Sequence, residues 1–264
     1  MGFIFLKTKI LVDEKRLRMI QDIEKQLKTW AKQYNVPSFV DDDPVQFPRK
    51  YKDNPLDAEV SGLLTALISF GNRKQIIKKA KELDDMFKGH PYKWIMENGF
   101  CLDIPCHSDH YFYRTISDKK MYDYCMMIKS IMRQYGSIEK YVQRWNNTED
   151  EWNGWRMLSA VFGFATNSAA KRLAMFMRWM VRDDGIVDLG IWGSINKKIL
   201  AIPLDVHVHK MALELGITKR KTTDVKTVKE ITEYFKGVFP DDPCIGDFAL
   251  FGYSVNKKLN TFKS

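Results

Sequence analysis

Three things are scarce in this chain, and each scarcity removes a class of protein. Alternating apolar and polar strand patterns are nearly absent, which removes sheet and barrel architectures. No apolar run approaches the roughly 20 residues that a membrane-spanning helix needs, so no membrane partner is expected. Cysteine is limited to four residues, at 101, 106, 125 and 244, with no CxxC pair. They read as reduced, buried thiols rather than a disulfide framework. The stretch CLDIPCHSDH brings Cys101, Cys106, His107 and His110 close in sequence but matches no zinc-ligand spacing. No metal and no cofactor are expected.

Positive charge, by contrast, is in excess. Lysine and arginine number 42 against 33 acidic residues, a net +9. That balance favours a polyanionic partner such as nucleic acid, with a generally basic, solvated surface as the plain alternative. The N-terminus, MGFIFLKTKILVDEKRLR, turns amphipathic too soon for a signal peptide, and Leu6 stands where a myristoylation site wants Ser or Thr. The expected location is cytoplasmic.

Helical periodicity dominates the rest. A first helix is expected over 14–34, then a loop, FVDDDPVQFPRKYKDNP, through which no helix should run. Asp57 opens a helix with the stripe Val60, Leu63, Leu64 and Leu67, stopped at Gly71-Asn72, and another follows at once. Shorter helices are expected at 91–98, 120–135 and 138–145, with 100–119 irregular. Asp57 and Glu59 read as charge compensation at their own helix start. In NSAAKRLAMFMRWMVR, Ala170, Leu173, Ala174, Met177 and Met180 form an apolar stripe, Asn167 or Ser168 can cap, and Lys171 falls in the first turn. In IPLDVHVHKMALELG, Asp205 is the N-cap and Val208, Met211, Ala212 and Leu215 are the buried face. Two more helices are expected, near 224–238 and 244–255. The fold class is all-α, so helix ends must build any site.

Lys171 and Asp205 are the residues with chemistry in them. A lysine amine becomes a nucleophile when burial, here against Trp179 or Trp192, and the positive end of a helix dipole discharge it. It can then attack an electrophilic carbon and form an imine. A nearby carboxylate can take up protons or stabilise a developing cation such as a ribosyl oxocarbenium ion. A solvated lysine and a plain helix cap are the alternatives.

Three segments, in order, resemble the helix-hairpin-helix DNA glycosylases, the superfamily of endonuclease III and the 8-oxoguanine DNA glycosylases. PLDVHVHKMALELG resembles their D-T/V-H-V segment, and this resemblance implies a catalytic role for Asp205. NSAAKRLA resembles their G-x-G-x-K-x-A hairpin and implies that Lys171 is the nucleophile of a bifunctional enzyme. LLTALISFGNRKQIIKKAKEL resembles their L-L-S-A-Q-T-x-D segment, placing Asn72 and Arg73 against the nucleic acid. Ala169 and Ala170 stand where the hairpin glycines would be. The Lys171-to-Asp205 interval is nearest the archaeal 8-oxoguanine glycosylase type, and the four-cysteine iron–sulfur motif is absent. The whole chain also resembles a bacterial family of unassigned function, through DPVQFPR, KRLAMFMRWMVR, VDLGIW, PLDVHV and DFALFGYSV.

The resemblance implies a single glycosylase-like unit over 1–264. A central lobe at 57–165 and a second lobe, 1–56 plus 166–264, would flank a cleft beside a divergent helix-hairpin-helix. The implied activity is DNA N-glycosylase, with AP lyase as a second step, on a flipped damaged base in duplex DNA. Arg172, Arg178 and His207 join Asn72 and Arg73 as expected nucleic-acid contacts, with His207 more structural than functional. Trp192, Asp247, Phe248 and Phe251 are the expected base pocket. The alternative is a non-catalytic nucleic-acid-binding helical protein that retains the fold. A third reading is a helical protein whose basic face meets another protein.

Overall fold

Residues 21–106, 109–146 and 150–261 are described by a computed structural model. The chain is all-α. Helix α1 spans 21–34, and a 3-10 turn follows at Pro37–Asp42. The remaining helices are α2 (Gln46–Arg49), α3 (Pro55–Ile68), α4 (Arg73–Phe87), α5 (Pro91–Met96), α6 (Phe100–Asp103), α7 (Asp118–Tyr135), α8 (Ile138–Asn146), α9 (Asn153–Val161), α10 (Lys171–Val181), α11 (Val206–Glu214), α12 (Val225–Val238) and α13 (Ile245–Thr261). A small antiparallel ribbon, β1 (Tyr111–Tyr113) with β2 (Ile116–Ser117), lies between α6 and α7.

Helix α3 is the axis of the molecule. Pro55 starts it at a position where a missing N–H costs nothing, and every residue from Asp57 to Ile68 is buried. A helix covered on all sides carries its apolar residues all round, and this one does. It crosses α10 closely: a Cβ added to Gly62 would lie 2.6 Å from Met180 Cε, so a larger residue there would have to displace that methyl. One continuous buried cluster runs through both expected lobes.

Both buried carboxylates of α3 serve other helices; Asp57 also stands in the first turn of its own helix, as local charge compensation requires, while Glu59 lies beyond that turn. Asp57 accepts from the Tyr92 N–H at 2.7 Å, at the start of α5. Glu59 accepts from the N–H groups of Ile138 (2.8 Å) and Glu139 (3.1 Å), at the start of α8, and from Trp192 Nε1 (2.8 Å). The backbone donors are among the orphan N–H groups of a helix start. Burial pushes the Glu59 carboxyl up to about 7, against the downward pull of the same three donors. A carboxyl whose folded pKa lies above its unfolded value adds stability at low pH and loses that contribution as pH rises, here from about 4.5 through about 7. Glu59→Ala is expected to cost about 3 kcal/mol, since three buried donors lose their acceptor. Urea unfolding at several pH values checks this, and the variant should lack the part of the pH slope that Glu59 supplies.

Other sequence expectations need adjustment. The first helix is present over 21–34, and its expected start at 14 lies outside the described residues. The proline-rich loop holds the 3-10 turn and α2, with Pro48 inside the short helix, because a single turn tolerates what a longer helix does not. The stretch 100–119 contains α6 and the β-ribbon. Helix α9 has no counterpart among the expected helices. Cys125 and Cys244 are buried, Cys106 is partly so and Cys101 is exposed, so the description as buried thiols holds for two of the four. No described helix is long and apolar enough to cross a membrane.

Candidate active site

Helix α9, a nine-residue connection and α10 form a tight turn around Lys171. Gly163 and Ala170 both adopt left-handed backbone, at φ 76° and 36°. For alanine that conformation costs about 1 kcal/mol, so Ala170 occupies a position that suits glycine. The Ala170 N–H donates to Ser168 Oγ at 3.1 Å. Ala170 is itself the N-cap of α10, without a side-chain bond, which corrects the expectation that Asn167 or Ser168 caps this helix. Lys171 follows as the first helical residue. Its Nζ lies 3.3 Å from the Met175 thioether, a weak acceptor. Among the described residues Lys171 makes no ion pair.

Asp205 caps α11 as the sequence suggests. Its backbone is extended, and Oδ1 accepts from the N–H groups of His207 and Val208, both at 2.9 Å. One oxygen thus meets the two helix donors. Val206, the next residue, is 75% exposed.

The third group is Asp247, in the first turn of α13. Its carboxyl is raised to about 6, first by desolvation, with Arg178 pulling it down, Asp205 pushing it up and Lys171 pulling it down. Lys171 and Asp205 therefore lie within electrostatic reach of one carboxyl. The Asp247 side chain keeps 19% exposure, so solvent reaches it although protein surrounds most of it.

Arg178 holds Asp247 in place. It pairs with the Asp247 Oδ2 and, through Nε at 3.3 Å, with Asp188 Oδ1. Arg182, one turn on, pairs with Asp188 Oδ2, with Asp242 at 2.9 Å and with Asp184 at 2.9 Å. Burial disfavours the Arg182 charge, and the three carboxylates more than offset that, so its pKa rises. Both guanidiniums lie over the Phe248 ring, at 4.7 and 5.2 Å. The segment after α10 folds back to deliver Asp188: Leu189 and Trp192 donate to the carbonyls of Trp179 and Met180. Gly190 permits this return, because at φ 63° an added Cβ would lie 2.5 Å from Asp183 Cα. Arg49 donates to the carbonyls of Val187 (2.7 Å) and Asp188 (3.3 Å), joining the DPVQFPR segment to VDLGIW.

Several expected site residues are committed elsewhere. Arg178 is 4% exposed and belongs to the ion network, so it is blocked from meeting a phosphate. Arg172 donates to the Leu67 carbonyl at the end of α3, with its guanidinium 4.8 Å from both the Phe70 and Phe164 rings. It is a structural clamp. Trp192 is 2% exposed, bonded to Glu59 and set edge-on to Phe176, and Phe248 is 1% exposed beneath the arginines. Neither ring can stack on an incoming base. Trp179 is fully buried as well, and the Lys171 amine bonds to Met175.

The others remain accessible. Asn72 caps α4, accepting from Lys74 N at 3.0 Å, and is exposed. Arg73 is exposed, pairs with Asp43 at 3.1 Å and lies 5.7 and 5.9 Å from the Phe39 and Phe251 rings. Phe251 is half-buried, one helical turn after Asp247, on the same side of α13. His207 is exposed. Asp43 and Phe39 escape the sequence reading, although Asp43 opens the DPVQFPR motif. The Asp43 charge also acts on Arg178. Among the described residues no group of three or more His, Cys, Asp or Glu could hold a metal.

Neither the curated proteins nor the solved structures contain a match to this chain. Residues 43–256, which include every group of this site except Phe39, match the model of the family described as "Protein of unknown function (DUF2400)", and the chain belongs to that family.

Proposed function

We propose that the chain is a DNA base-excision glycosylase with AP-lyase activity, in which Lys171 is the imine-forming nucleophile and Asp205 its carboxylate partner. The observation that carries this reading is that the charges of two groups both act on the solvent-reachable carboxyl of Asp247. One is an amine without an ion-pair partner among the described residues, and the other is a helix-capping carboxylate. The substrate is duplex DNA with a damaged base turned out of the stack. The Lys171 amine forms a bond to C1′ through its nitrogen lone pair as the glycosidic bond breaks. The electron pair leaves on the base, which takes up a proton. Asp205 stabilises the positive charge on the sugar and accepts a proton from the new ammonium. Ring opening gives the imine, and loss of a C2′ proton then expels the 3′ phosphate and nicks the strand.

Asp247 and Phe251 offer the base a carboxyl edge and a partly open ring. With its carboxyl at about 6, Asp247 exchanges between protonated and ionised forms close to neutral pH.

The test is borohydride trapping on duplex and single-stranded oligonucleotides bearing 8-oxoguanine, uracil or an abasic site. Wild type is expected to form a covalent adduct, and Lys171→Gln to form none. An adduct that persists in the variant removes Lys171 from the chemistry. Absence of any adduct with wild type favours a nucleic-acid-binding protein that keeps the fold without the reaction.

A further inference from the structure

The loop between α11 and α12 is fastened to both elements that carry the dyad. On one side, the connection leading to Lys171 pairs with it: Ser168 and Asp224 form an isolated antiparallel bridge, and the Val225 N–H donates to the Asn167 carbonyl at 3.0 Å. On the other side stands His209, one turn after Asp205 on α11. Its Nε2 lies 2.7 Å from the Arg220 carbonyl and its Nδ1 lies 3.1 Å from Thr223 Oγ1.

The loop is also braced internally. Arg220 Nε donates to Thr227 Oγ1 at 3.0 Å and Nη2 to Asp224 Oδ2 at 2.8 Å. Asp224 in turn caps α12 through the Thr227 N–H at 2.9 Å, and that N–H is the largest influence holding its carboxyl well below the usual range. The segment's arginine and its single carboxylate thus neutralise each other. Lys219, Lys221 and Lys226 are left exposed, and among the described residues they form no ion pair. Lys221 stands three residues from Asp224, so its backbone lies within about 11 Å of the residue that bridges to Ser168 in the connection leading to Lys171.

Three uncompensated lysines, two in a braced loop and Lys226 in the first turn of α12, on a segment attached to α11 and to the connection before α10, differ from a charge run scattered over a solvated surface. We infer that Lys219, Lys221 and Lys226 form a phosphate-binding strap that holds a nucleic-acid backbone beside Lys171 and Asp205. This rests on the proposed function for its partner. It supplies backbone contacts next to a connection whose Ala170 N–H is already bonded to Ser168 Oγ and whose Asn167 carbonyl is taken by Val225. Lysine contacts of this kind position the duplex and carry no base preference.

The experiment compares three full-length proteins by fluorescence anisotropy on a labelled duplex bearing a reduced abasic-site analogue, across a salt series. They are wild type, Lys219→Ala/Lys221→Ala/Lys226→Ala, and a control of equal charge loss on exposed positions of α1, Lys25→Ala/Lys28→Ala/Lys32→Ala. Removing one lysine–phosphate interaction should flatten the slope of log affinity against log salt by about 0.9, so the slope of the strap variant should fall by about 2 to 3. The α1 variant should stay close to wild type. Equal losses in both variants, or none in the strap variant, overturn the strap. A wild type without salt-dependent binding overturns it together with the proposed function. Salt-dependent binding that disappears in the strap variant, with no trapping by wild type, supports the strap and defeats only the imine chemistry.

Discussion

Asp188→Ala is expected to destabilise the protein by about 3–5 kcal/mol, the usual consequence of removing one partner from a buried ion pair. The Asp188 side chain is fully buried and shared between Arg178 and Arg182. Arg182 is fully buried too, and it would keep Asp242 and Asp184, both partly solvated. Arg178 would keep only Asp247. A guanidinium cannot shed its proton to escape an apolar site, so the whole cost falls on stability. Denaturant unfolding measures it, and a loss below about 1 kcal/mol would mean that water enters and solvates the arginines. The substitution should reach the site as well. Arg178 is what positions Asp247, so the carboxyl that feels both Lys171 and Asp205 loses its anchor.

Asp205→Asn is expected to reduce turnover on base-bearing duplexes by about a thousandfold, within the range assigned to a positioned proton-transfer group. Its value as a test comes from what it leaves alone. Asparagine is as good an N-cap as aspartate, and its side-chain oxygen can still accept from the His207 and Val208 N–H groups. Helix α11 should therefore keep its stability, with thermal unfolding changed by only a few degrees at most. The negative charge that would face a sugar cation is gone, while size and capping remain. Unchanged turnover in a stably folded variant would assign Asp205 to capping alone. Asp205→Ala would remove both functions at once and could not separate them.

The legibility of this chain follows the range of the interactions. Helix α11 is readable because a cap, a 3.6-residue stripe and the Gly216 stop all lie within a dozen residues. The start of α10 is nearly readable: Lys171 falls in the first turn, but the left-handed Ala170 replaces the expected side-chain cap. That detail depends on how the chain leaves α9. Arg178 and Trp192 fail in the other direction. An arginine on a helix face next to the apolar stripe looks solvated unless its carboxylate is visible, and Asp247 lies 69 residues away. The acceptor of the Trp192 indole, Glu59, is 133 residues distant. Nothing in either local sequence marks such a partner.

By itself the sequence determined the all-α class, most helix positions, the basic balance and the two helix starts that hold Lys171 and Asp205. These depend on periodicity, capping and composition, which act over one or two turns. Only the tertiary structure decided which charges are buried and paired, which helix ends the α3 carboxylates cap, and that the charges of Lys171 and Asp205 both reach Asp247. It also decided that the connection between α11 and α12 is tied to His209 of α11 and to the residues that precede α10. Each of these requires two segments distant in sequence to meet, and the free energy that brings them together comes from packing around α3 and α10 rather than from any local preference.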